Sequence, residues 1–75
     1  MNLNFSTGRI LLGQHELQVR LQASKVVMTV LPDDIRLLSD ARLLLADAGA
    51  VRWQLTLDDN EQLQQIADFY GIEVE

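Results

Sequence analysis

The sequence predicts an α+β domain: an antiparallel β-sheet with two α-helices packed on one face. Three observations lead there. Residues 16–23 and 51–57 each place apolar side chains on every second position, as half-buried strands do. Leu63, Ile66, Ala67 and Tyr70 recur at helical spacing behind a run of capping residues. Between them, residues 33–48 are rich in Leu, Ala and Arg and carry no β-branched residue after Ile35.

Taken in order, the chain opens as sheet. Leu3 and Phe5 alternate with Asn2, Asn4 and Ser6, and Thr7-Gly8 marks a turn. Arg9 to Leu12 form a short apolar strand that Gly13-Gln14 closes. In residues 16–23, Leu17, Val19, Leu21 and Ala23 share one face and Glu16, Gln18, Arg20 and Gln22 the other. Residues 26–31 are apolar on both faces, so this strand is either central in the sheet or covered by a partner.

Pro32 ends that strand, because it cannot donate to a ladder and suits a first helical turn. Asp33 and Asp34 then stand where a helix dipole favours anions. On a helix over residues 33–48, Leu37, Leu38, Ala41, Leu44, Leu45 and Ala48 share one arc, and Gly49 is placed to terminate it. The alternative breaks this helix near Ser39-Asp40. It reads residues 42–46 as a strand and residues 47–50 as a hairpin turn. Propensity favours the single helix.

Residues 51–57 form the second alternating strand, with Trp53 on the face of Val51, Leu55 and Leu57, as core or as an interface anchor. Asp58, Asp59 and Asn60 are N-cap candidates. Asp59 with Gln62 three residues later resembles a capping box, and Gly71 closes the helix. Tyr70 lies on the apolar helix face with its hydroxyl at the boundary with water. Residues 72–75 alternate and are long enough for a short final strand.

The chain has 75 residues, 48% of them hydrophobic and none of them cysteine. That is one domain, residues 1–75, with one core and no disulfide to supplement it. The first residues hold neither a basic stretch nor an apolar run of signal-peptide length, and no segment approaches a membrane span, so the expectation is a soluble cytoplasmic protein. Charge is divided along the chain. Residues 1–31 carry Arg9, Arg20 and Lys25 against Glu16, a net of +2, and residues 32–75 carry three arginines against ten acids, a net of −7. An acidic chain is repelled by phosphate backbones, which argues against nucleic-acid partners.

Few residues point to chemistry. His15 is the single histidine, and its neighbour Glu16 projects to the opposite face of an extended chain, so the two do not converge on one proton or metal. Asp33-Asp34 and Asp58-Asp59 each open a predicted helix, and capping accounts for them. Ser6-Thr7-Gly8 lacks the glycines and lysine of a phosphate-binding loop. No catalytic, metal or cofactor-binding residue is nominated, and an enzyme is the least supported reading.

The polar face of the alternating strands is the more suggestive feature. Gln18, Arg20, Gln22, Arg52 and Gln54 form a candidate interaction face if both strands lie in one sheet, because arginine is enriched in interfaces and lysine depleted. Aromatic side chains on which a single-stranded nucleic acid would stack are missing from it. Leu11, Leu31, Val27 and Leu43 fall off the main buried faces, which favours a covered second surface and, most simply, a homodimer.

The segments HELQVRLQ and VRWQLTLDDNEQLQQIA, with the strand-rich start, resemble the short uncharacterised bacterial proteins grouped as domains of unknown function. The resemblance spans nearly the whole chain and implies no activity, cofactor or site residue. The functional expectation is a non-enzymatic protein-interaction or regulatory module without a cofactor, partnered by itself or another protein. The alternatives are a small-ligand-binding protein with a pocket between sheet and helices or across a dimer seam, and an acidic inhibitor of a basic partner.

Overall fold

A computed structural model describes residues 1–23, 25–49 and 52–75. Among them the chain forms seven strands and one α-helix: β1 (Asn2–Phe5), β2 (Gly8–Leu12), β3 (Leu17–Leu21), β4 (Val26–Val30), β5 (Ile35–Leu38), β6 (Leu43–Asp47), β7 (Arg52–Thr56) and α1 (Asn60–Tyr70). The strands make two antiparallel meanders, β1-β2-β3-β4 and β5-β6-β7.

The first meander follows the alternation. Leu3 pairs with Ile10, Ile10 with Val19 and Val19 with Met28, so one face carries an apolar row across all four strands. Leu3, Ile10 and Val19 are buried. Gly8 is required by a close approach. A Cβ there would clash with the main-chain oxygen of Arg20 on β3, and Gly8 pairs with Leu21 at that end of the sheet.

The expectation of one sheet with two helices on it is corrected here: there are two sheets and one α-helix. Residues 33–48 are not a helix. Pro32–Asp34 is a single 3₁₀ turn, after which β5 and β6 pair as a hairpin through Ser39-Asp40-Ala41-Arg42. The alternative that breaks the helix near Ser39-Asp40 and places a strand over residues 42–46 is matched by β6, but the short helix it keeps before the break is the strand β5. The physical reason lies in which leucines meet the core. Leu37 and Leu44 are directly opposed in the hairpin and both fully buried, whereas Ala41 and Ala48, which a helix would have buried, are exposed. Arg42 takes the left-handed conformation (φ 54°) that reverses the chain. Its main-chain oxygen accepts from the Leu57 N–H, and its guanidinium donates to the Asp58 main-chain oxygen at 2.8 Å. Tertiary contacts of this kind outweigh helix propensities of a few tenths of a kcal/mol per residue.

The C-terminal helix forms where its signals lie. The Asp59 carboxylate accepts from the Gln62 N–H at 3.0 Å, and Gly71 closes the helix in the left-handed conformation at φ 68°. The Gln62 side chain returns to the Asp58 N–H rather than to the cap residue itself, and also donates to the Asn4 main-chain oxygen. Leu63, Ile66 and Ala67 are buried. They join the inner faces of both sheets in one core with Leu3, Ile10, Leu17, Val19, Leu37 and Leu44. Residues 72–75 do not form a full strand. Val74 makes a single parallel bridge to Leu37, supported by Ser39 N–H to the Glu75 oxygen and Glu75 N–H to the Leu37 oxygen.

Substituting Gly8→Ala forces β2 and β3 apart and is expected to lower unfolding stability by about 1–3 kcal/mol, as overpacking does. Urea denaturation measures it, and an unchanged midpoint would refute the close approach.

Candidate functional site

The residues that sequence reasoning groups together are divided between the two sheets. Gln18 and Arg20 lie on the outer face of the first sheet, where the Arg20 guanidinium donates to the Gln18 amide oxygen at 2.9 Å. Gln22 stands in the turn beyond β3. Arg52 and Gln54 lie on β7 of the second sheet. There the Arg52 guanidinium pairs with Asp47 at 3.2 Å, directly across the β6–β7 ladder. Arg36, Leu45, Asp47, Arg52, Trp53 and Gln54 surround an open hollow of about 410 Å³ on that sheet. Trp53 is half-buried and packs against the core; Val51, grouped with it, lies outside the described residues.

What the structure adds to Arg20 is a neighbourhood. Arg9 on β2 is its direct cross-strand partner. Lys25, in the turn before β4, completes a hollow of about 290 Å³ with Arg9, Arg20, Leu21, Gln22, Val26 and Val27. In the sequence these three cations show as a charge imbalance but not as a cluster. The cluster depends on the register: with Leu12 opposite Leu17 across the Gly13–Glu16 turn, Arg9 comes to lie opposite Arg20.

Strand edges are a second feature of functional interest. The β5 edge is covered by residues 72–75 through the Leu37–Glu75 and Ser39–Glu75 hydrogen bonds. The β7 edge strand exposes Arg52, Gln54 and Thr56. The β4 strand pairs with β3 on one side only and has no charged residue in its sequence VVMTV. Val27 and the following Leu31 are each 56% exposed, and Val26 is 39% exposed.

Asp58 and Asp59 have structural work. Both oxygens of Asp58 accept from the Ser6 N–H, at 3.1 and 2.9 Å, tying the β1–β2 turn to the start of α1. Hydrogen bonding from Ser6 through side chain and main chain, with smaller help from Gln62 and Arg42, holds the Asp58 carboxyl below the usual aspartate range. Glu75 is lowered likewise by its hydrogen bond and charge pairing with Arg36. Asp33 and Asp34 open no α-helix; they sit in the 3₁₀ turn, which has no side-chain cap hydrogen bond, so the capping expected of them is not seen. Burial pushes the Tyr70 hydroxyl up; it donates to the main-chain oxygens of Gly13 (2.9 Å) and Glu16 (3.2 Å). His15 is exposed. Among the described residues no group of three His, Asp or Glu is placed to hold a metal, and no helix is long and apolar enough to cross a membrane.

Because the folded pKa of Asp58 lies below its unfolded value of about 3.9, its contribution is present above about pH 4. It is lost as pH falls through the folded value. Carbon-detected titration is expected to place the Asp58 midpoint below that of a model aspartate. In Asp58→Asn this acid-side loss of stability is expected to shrink, and an Asp58 midpoint at the ordinary value would contradict the Ser6 contact.

The profile of the family described as Protein of unknown function (DUF3389) matches residues 1–74. No curated protein and no solved structure matches the chain.

Proposed function

As the chain belongs to the DUF3389 family, whose description assigns no activity, we propose from its own geometry that it is a non-enzymatic interaction module that self-associates through β4. The observation that carries this is the uncharged β4 edge with its exposed Val26, Val27 and Leu31. An edge strand leaves backbone donors and acceptors ready for another strand, and proteins ordinarily blunt such edges with Lys, Pro or a bulge.

A second copy suits this edge because the strand is self-complementary. Antiparallel pairing about a two-fold axis at Met28 sets Val26 opposite the partner's Val30 and Val27 opposite the partner's Thr29. Opposed residues point to the same face, so the apolar inner face of each four-stranded sheet continues into the next. An acidic inhibitor has less support. Of the ten acids in residues 32–75, Asp47, Asp58, Asp59, Asp68 and Glu75 already accept intramolecular hydrogen bonds.

Light scattering over a dilution series tests the reading with two designed pairs. In V27E/T29E the two introduced carboxylates oppose one another across the seam, while the one at position 27 faces Arg20 within each monomer. Dimer dissociation is expected to rise by about tenfold or more. V27E/T29K places opposite charges across the seam, and the dimer is expected to return. A wild-type chain that stays monomeric at tens of micromolar, or equal behaviour of the two variants, would overturn the β4 pairing. A stable monomer would direct attention to a strand from a different protein.

A further inference from the structure

We propose that the hollow formed by Arg9, Arg20 and Lys25 at the β2–β3–β4 end of the first sheet binds a compact multivalent oxyanion of the phosphate monoester class. The site is complete within one chain and does not depend on β4 pairing.

Arg9 and Arg20 are directly opposed across β2 and β3, which brings their Cα atoms to within about 4.5–5.5 Å. Like charges in that position repel and destabilise the sheet. Among the described residues no salt bridge offsets them. The outer row they belong to runs Asn4, Arg9, Arg20, Val27 and holds no acid. The only acid in residues 1–31 is Glu16, at the far end of β3. Among the described residues the salt bridges are Arg36–Glu75 and Arg52–Asp47, so these three cations take part in none. Elsewhere the chain has acids in excess, yet the fold gathers the three Arg and Lys side chains of residues 1–31 around one hollow.

The surroundings indicate what would fit. The Arg20 guanidinium is held by its Nε–H donation to Gln18, which leaves its terminal N–H groups free to grip oxyanion oxygens. Lys25 adopts the left-handed conformation at φ 53°, unfavourable for a lysine. It lines the same hollow as the two arginines. Three positive charges over one hollow call for more than a single carboxylate; a phosphate dianion offers two charges and three acceptor oxygens. The hollow of about 290 Å³ also has Leu21, Val26 and Val27 in its lining, an apolar contact for the organic part of an ester.

Phenyl phosphate is the probe, followed by heteronuclear NMR of the arginine side chains and by thermal unfolding, against sodium chloride at matched ionic strength. Saturable shifts at Arg9 and Arg20, binding about tenfold weaker in Arg9→Gln or Arg20→Gln, and tighter binding than inorganic phosphate are expected. Without ligand, R9Q/R20Q is expected to melt at or above the wild-type temperature, because it removes the repulsion. Phenyl phosphate should raise the melting temperature of the wild type alone. Equal shifts in sodium chloride, or equal affinity in wild type and variants, would overturn the site. Equal affinity for inorganic phosphate and phenyl phosphate would overturn the ester as its ligand.

Discussion

The inner faces of two separate sheets have to be buried by one short helix. The four-stranded and three-stranded meanders share no ladder, so main-chain hydrogen bonding between strands does not hold one to the other. Their apolar rows meet in a single core closed by Leu63, Ile66 and Ala67 of α1. Each fully buried Leu or Ile contributes about 1.5–3 kcal/mol, and the chain has no disulfide to assist. The position of α1 therefore governs the whole molecule, and several polar contacts fix it. Asp58 holds the β1–β2 turn through Ser6, Gln62 reaches Asn4 on β1, and Tyr70 at the other end of α1 reaches the β2–β3 turn. Arg42 adds the β5–β6 turn by donating to the Asp58 main chain.

These contacts consume much of the chain's polar chemistry. Asp58 and Asp59 are spent on the Ser6 contact and on capping, and Glu75 and Asp47 on ion pairs with Arg36 and Arg52. The same packing has a consequence at the periphery. With β5 shielded by the C-terminal residues and β7 lined by polar side chains, Val26, Val27 and Leu31 at β4 stand with Met1 and Phe69 as the exposed large hydrophobic residues among those described. The unbalanced positive charge collects beside that strand. The cations of residues 1–31 lie on the sheet that carries few acids, while most acids lie in the half that builds the second sheet and α1.

Legibility in the sequence follows the range of the interaction responsible. The strands at Leu17–Leu21 and Arg52–Thr56 and the helix at Asn60–Tyr70 are readable because their signals are local. Alternation reports a half-buried strand, and Asp59, Gln62 and Gly71 mark the helix ends chemically. The β5–β6 hairpin reads as a helix because Leu, Ala and Arg satisfy helical periodicity as well as strand alternation. What separates the two is whether Leu37 meets Leu44 across a ladder, and that is settled by the core they enter. The polar face is recovered only in part. Gln18 and Arg20 do lie together, but Arg52 and Gln54 belong to a different sheet, and Arg9 and Lys25 stand beside Arg20 instead.

By itself the sequence determined a single α+β chain without cysteine, the strands that alternate, the capped C-terminal helix and the division of charge along the chain. Each of these depends on residue type, or on neighbours a few positions away, and so is written locally. The number of sheets, the fate of residues 33–48, the opposition of Arg9 to Arg20 and the openness of β4 were decided by tertiary structure alone. All four depend on which strands become neighbours, and strand pairing is chosen by the shared burial of residues far apart in the chain.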